Sequence, residues 1–120
     1  MTTADPKTTT PTMVRAPRGA AVLEIDWADG HTSVLPNDFV RGYCPCAGCQ
    51  GHTGEINFIP GQNSEINGIE EVGSYALQFT WGDGHGSGLY TFRYLRRLGE
   101  LSAAEGGAVG TRPAIPRSTT

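Results

Sequence analysis

The sequence predicts an α+β fold: a β-rich single domain of antiparallel hairpins with two short helices and disordered tails. Three observations carry that expectation. Apolar residues alternate in runs that end on Asp-Gly turns, one such hairpin unit occurs twice with a helical stretch after each copy, and both chain ends are Thr/Pro- or Gly-rich without apolar period. At 120 residues one domain is expected, and 38% hydrophobic residues with 17 glycines allow only a modest core.

In chain order, residues 1–20 (MTTADPKTTTPTMVRAPRGA) read as a Thr/Pro-rich disordered tail, and residues 102–120 as a flexible C-terminal one. The body is then 21–101. It opens on Ile25-Asp26-Trp27-Ala28-Asp29-Gly30-His31-Thr32-Ser33-Val34-Leu35. This matches Phe79-Thr80-Trp81-Gly82-Asp83-Gly84-His85-Gly86-Ser87-Gly88-Leu89 in the frame Trp-x-Asp-Gly-His-x-Ser-x-Leu. Each copy reads as strand, two-residue Asp-Gly turn and strand, because Asp-Gly supplies the positive φ of such turns. A true duplication and two hairpins converging on one good turn both explain the match. Helices are expected over Pro36–Tyr43 and Tyr90–Leu98; in the second, Phe92, Leu95 and Leu98 share a face. Between the copies, Glu65–Val72 and Ser74–Trp81 read as strands, with Tyr75, Leu77, Phe79 and Trp81 alternating as a half-buried face.

Charge and composition exclude several classes. The body carries Arg41, Arg93, Arg96 and Arg97 against ten carboxylates, whereas a nucleic-acid-binding surface normally shows a basic patch. On the helix, Arg93, Arg96 and Arg97 read as its solvated face rather than as an anion site. No run approaches the roughly 20 apolar residues of a membrane span. The first 20 residues lack the apolar segment of a secretory signal, and a cytoplasmic location is expected.

All three cysteines fall within Cys44-Pro45-Cys46-Ala47-Gly48-Cys49. An odd number packed this closely is a poor disulfide framework and suits a reducing compartment. Three such residues in six positions are too dense to be ordinary small core residues. Cys-x-Cys-x-x-Cys at a helix end brings three sulfurs within reach of one centre, and Pro45 and Gly48 favour a tight loop there. Thiolates are soft donors that suit zinc or iron–sulfur iron, and Cys3His is a common closed zinc set. The fourth donor must be a histidine. His52 is nearest in sequence; His85 and His31 each follow an Asp-Gly turn. Spacing leaves all three open. Asp83 is expected as a turn former, with a hydrogen bond to the imidazole as the alternative. No nucleophile elbow, P-loop or acid–base pair is legible, so an enzyme is not expected.

The stretches Leu23–His31, Cys44–Cys49, Val72–Leu77 and Asp83–Arg96, in this order, resemble the gamma-butyrobetaine hydroxylase N-terminal-like domain family over about residues 21–100. The resemblance implies a small strand-rich mixed fold with one zinc held by Cys44, Cys46, Cys49 and His85. In carnitine-biosynthesis hydroxylases such a domain precedes a separate catalytic domain with iron and 2-oxoglutarate; that domain is not expected here. Similar domains are also fused to P-loop iron–sulfur carriers. The expected function is therefore a non-catalytic zinc-binding module serving as an accessory or protein-interaction subunit, with an iron–sulfur assembly or transfer factor (iron or a cluster as cofactor) as the alternative. A protein partner is expected, with the tails as possible docking segments.

Overall fold

A computed structural model describes residues 6–17, 19–46, 55–59, 61, 63–86, 88–104 and 115–116. Two three-stranded antiparallel sheets organise them, each followed by a helix. The first sheet has the order β1 (Pro11–Arg15), β2 (Val22–Trp27), β3 (Thr32–Pro36) and leads into α1 (Asn37–Gly42). The second has the order β5 (Ile66–Val72), β6 (Ala76–Trp81), β7 (Leu89–Thr91) and leads into α2 (Phe92–Ala104). A short ladder pairs β4 (Glu55–Ile56) with β8 (Ile115–Pro116). This is the β-rich α+β architecture expected from the sequence. No helix among the described residues is long and apolar enough to cross a membrane.

The strand pattern explains the core. β2 buries Leu23, Ile25 and Trp27, every second residue, as a one-sided sheet requires. β6 does the same with Leu77, Phe79 and Trp81, and adds Ala76. From α2, Phe92, Tyr94, Leu95, Leu98 and Leu101 close over these faces, and Phe39, Val40 and Tyr43 join them from α1. Full burial of side chains this size is worth roughly 1.5–3 kcal/mol each.

The sequence repeat is also a structural one. Each Trp-x-Asp-Gly-His segment forms the same loop: Trp27 N–H donates to His31 O at 2.8 Å and Trp81 N–H to His85 O at 2.9 Å. Gly30 N–H donates to Trp27 O at 3.0 Å and Gly84 N–H to Trp81 O at 2.8 Å. Only the glycines are left-handed, with φ of 89° at Gly30 and 88° at Gly84. These are therefore three-residue loops closed by a left-handed glycine, not the two-residue turns expected, because neither Asp29 nor Asp83 takes a positive φ. The match extends beyond the hairpins. β1 pairs β2 with an irregularity between Pro11 and Met13, opposite Trp27, and β5 pairs β6 with one between Ile66 and Gly68, opposite Trp81. Ala28 N–H donates to Thr10 O as Gly82 N–H does to Glu65 O.

Several expectations change. Residues 6–15, taken as tail, form a 3-10 turn (Pro6–Thr9) and β1, the partner of β2. A short half-exposed edge strand shows no apolar period, so composition conceals it. Order at the other end includes α2 to Ala104 and the Ile115–Pro116 strand. Tyr75 does not share the buried face of β6: it lies in the turn after Gly73 and is 54% exposed. The second helix begins at Phe92, since Tyr90 and Thr91 belong to β7.

Candidate metal centre

Cys44 follows α1, and the way that helix ends fixes where the cysteines lie. Tyr43 N–H donates to Phe39 O and Val40 O, both at 3.2 Å, and Cys44 N–H to Arg41 O at 3.2 Å, so the last turn tightens to i→i+3 bonding. Pro45, which has no N–H, cannot extend it. Two phenols from the second half fasten this turn. Tyr90 Oη donates to Val40 O and Tyr94 Oη to Tyr43 O, each at 2.7 Å, and all four residues are buried. Burial, with the neighbouring Cys44, pushes the Tyr90 hydroxyl well above the usual phenol range, which keeps it a donor.

His85 arrives on the loop between β6 and β7. Asp83 Oδ1 accepts the His85 backbone N–H at 3.0 Å. That bond, supported by the nearby Arg41, holds the Asp83 carboxyl below its ordinary value. Asp83 is thus a turn former that orients the histidine through its backbone. Arg41, only 4% exposed along its side chain, stands 3.7 Å from Asp83 Oδ2 and 5.9 Å over the Trp81 ring. α1 therefore supplies both the approach to the cysteines and a clamp on the loop that carries the imidazole.

The donors converge. Cys44 Sγ lies 3.4 Å and Cys46 Sγ 3.3 Å from the same atom, His85 Nε2, and the three donor atoms fall within 4.8 Å of one another. Cys44 is buried; Cys46 and His85 are half-buried. An imidazole nitrogen carries one lone pair or one proton, so it cannot form full hydrogen bonds to two sulfurs at once. A central cation satisfies all three donors. With zinc–sulfur bonds of about 2.3 Å and zinc–nitrogen bonds of about 2.0–2.1 Å, tetrahedral angles place sulfur and nitrogen about 3.5 Å apart, close to the spacings found. Gly88 backs the site: a Cβ there would lie 2.6 Å from Cys44 Sγ and 3.2 Å from the Tyr90 ring.

Of the sequence-predicted ligands, Cys44, Cys46 and His85 come together, while Cys49 and the competitor His52 lie outside the described residues. His31 occupies the equivalent loop of the first half, is exposed, and belongs to no such donor group among the described residues. Sequence reasoning missed the supporting residues Arg41, Tyr90 and Tyr94. It also placed Arg96 on a solvated face. Arg96 instead bonds Asp29 at 3.2 and 3.0 Å and stacks 5.7 Å over Trp27, mirroring Arg41 on the other loop; Arg93 and Arg97 are exposed. The available signal was the repeat itself, since an arginine follows each hairpin at nearly the same distance.

Residues 14–96 match the family model described as gamma-butyrobetaine hydroxylase-like, N-terminal. Among solved structures, the chain is similar to a crystal structure from Acidithiobacillus ferrooxidans, a protein with unknown function belonging to the DUF971 family. The two are 37% identical with a TM-score of 0.64, over 80% of this chain and 98% of that one. It is also similar to two proteins solved by NMR in solution. One is 27% identical with a TM-score of 0.62 over 98% of both chains. The other is 29% identical with a TM-score of 0.57, over 81% of this chain and 77% of that one. No curated protein matches.

Proposed function

The chain belongs to the gamma-butyrobetaine hydroxylase-like N-terminal family, and from that membership we propose that it is a non-catalytic zinc-binding module acting as an accessory or interaction subunit in the cytoplasm. The observation that supports this is the convergence of Cys44 and Cys46, at the end of the first half, on His85, in the hairpin of the second. With Cys49, which lies outside the described residues, as the third thiolate of a Cys3His set, four protein ligands would leave zinc no open position for a substrate. Zinc then supplies structural cross-linking, and its binding energy becomes folding energy. A reducing compartment keeps the three thiols available as ligands.

The test is elemental analysis of the purified full chain together with thermal melting before and after chelation. We expect one zinc per chain and a fall in Tm of roughly 10 °C or more on its removal. An apo protein that keeps its Tm overturns the structural role. Stoichiometric iron with sulfide and visible absorbance replaces zinc by an iron–sulfur cluster.

A further inference from the structure

The two halves repeat one another, so positions where they differ stand out. Strand register aligns them. Glu24 pairs with Val34 as Gln78 pairs with Leu89, so Ser33, just before Val34, corresponds to Gly88, just before Leu89. Cys44 stands as far beyond Asn37, the first residue of α1, as Gly99 stands beyond Phe92, the first of α2, so these two correspond as well. Both pairs make the same contact, with the side chain on opposite walls. A Cβ at Gly99 would lie 2.7 Å from Ser33 Oγ, and a Cβ at Gly88 would lie 2.6 Å from Cys44 Sγ. The space that a serine hydroxyl fills in the first half is filled by a cysteine sulfur in the second.

That exchange bears on the tryptophans. Trp27 Nε1 donates to Ser33 Oγ at 2.8 Å, a buried bond. Trp81 is fully buried, and its Nε1 has no hydrogen-bond partner among the described residues. A buried donor left unmatched is costly and calls for an explanation. The two rings are placed alike, since the arginine of the opposite half lies 5.7 Å over Trp27 and 5.9 Å over Trp81. The Trp81 N–H is therefore aimed at the space that Ser33 Oγ takes in the other half, and the sulfur of the fully buried Cys44 occupies it. A neutral thiol is a weak acceptor, whereas hydrogen bonds to an ionised acceptor are the strong ones.

We propose that Trp81 is a positioning residue of the metal centre, its indole N–H donating to the Cys44 thiolate. The assignment rests on the metal reading given above: coordination removes the thiol proton, and the sulfur then carries charge for a donor to stabilise. The loop from Trp81 to His85 thereby acts on the centre twice. Its imidazole is a ligand, and its indole holds the neighbouring ligand in place, as outer hydrogen bonds at metal sites do.

The test is proton–nitrogen correlation NMR of the full chain without metal, with zinc, and with cadmium-113 as a spin-active surrogate. The chain has two tryptophans, so two indole N–H signals are followed and Trp27 serves as the internal control. On loading, the Trp81 signal is expected to shift downfield and exchange more slowly with solvent. In the cadmium form it is expected to show a coupling to the metal nucleus, transmitted through the hydrogen bond and the sulfur, which a merely structural role would not produce. The Trp27 signal shows no such coupling. Trp81→Phe is expected to weaken zinc about tenfold or more; should that variant fail to fold, the coupling in the wild-type chain decides. A chain that binds neither zinc nor cadmium overturns the metal reading and this assignment with it. A chain that binds both metals while the Trp81 signal neither couples nor gains protection overturns this assignment alone.

Discussion

Gly88→Ala tests the metal centre through a single methyl group. Gly88 is buried and does not adopt a left-handed φ, so alanine suits its backbone and the effect is steric. The new Cβ would lie 2.6 Å from Cys44 Sγ, 3.2 Å from Tyr90 Cε1 and 3.6 Å from Pro45 Cδ. Non-bonded atoms of this kind settle at about 3.5–4.0 Å, so the sulfur must withdraw by about 1 Å. Metal–ligand distances tolerate only about 0.2 Å. The sulfur cannot move that far and remain a ligand at full strength, while Tyr90, pinned by its bond to Val40, resists movement on the other side. Overpacking should cost roughly 1–3 kcal/mol of stability. Zinc affinity should fall about 10- to 100-fold, or about 1.4–2.8 kcal/mol. The control is Gly86→Ala, one residue from His85, where a Cβ would meet Phe79 O and Thr80 Oγ1 at an ordinary 3.7 Å. Competition with a chromophoric chelator measures both variants. If Gly88→Ala binds zinc as tightly as wild type and Gly86→Ala, Cys44 is not held where the structure places it.

Three further outcomes follow from the surrounding contacts. Tyr94→Phe removes the buried bond to Tyr43 O and should cost about 0.5–1.5 kcal/mol in denaturant unfolding, the usual worth of one hydrogen bond; unchanged stability would show that the phenol does not fasten the cysteine turn. Asp83→Ala should weaken zinc about tenfold while Asp29→Ala leaves zinc affinity unaltered, since equivalent loops carry His85 and His31 but among the described residues the sulfur donors meet His85 and not His31; equal losses in a zinc competition assay would contradict this assignment. Arg15 bonds Asp26 and Glu24, and its hydrogen bond to Asp26 is the main cause holding that carboxyl below its ordinary value. A depressed carboxylate stabilises the fold above its unfolded pKa of about 3.9 and loses that contribution as pH falls through the folded value. Arg15→Met should therefore melt below wild type at neutral pH and converge with it in acid; a constant gap across the titration would exclude the pair as the cause.

The hairpins, both helices and the two described thiols were legible because each depends on local pattern: alternation in β2 and β6, Asp-Gly turns, and clustered cysteines. What stayed hidden depends on pairing over distance. β1 is visible only through β2, which satisfies its backbone, and Thr12 and Met13 are exposed. Tyr75 alternates correctly with Leu77 but stands beyond the point where Gly73, at φ 58°, turns the chain. The choice among histidines shows the same division. Sequence spacing measures proximity along the chain, whereas His85 reaches Cys44 across 41 residues because the second sheet folds back on the end of α1. The family resemblance supplied that pairing; spacing alone could not.

The repeat also indicates why metal would matter in one half more than in the other. Both loops use the same bracket: an arginine from the helix of the opposite half lies over the loop's tryptophan and faces its aspartate. In the first half, Arg96 grips Asp29 with two bonds of 3.2 and 3.0 Å, a forked arrangement that is directional and strong. In the second half, Arg41 reaches Asp83 only at 3.7 Å. The bracket thus belongs to the fold and is not itself a sign of metal binding, because it is tighter at the loop that has no sulfur donor among the described residues. The loosely bracketed loop is the one whose histidine faces Cys44 and Cys46. Coordination there would supply the cross-link between halves that the forked ion pair supplies on the other side. By this reasoning, loss of zinc should loosen the β6–β7 loop and the end of α1 before it loosens the Asp29–Arg96 corner, an order that hydrogen exchange of the apo chain can resolve.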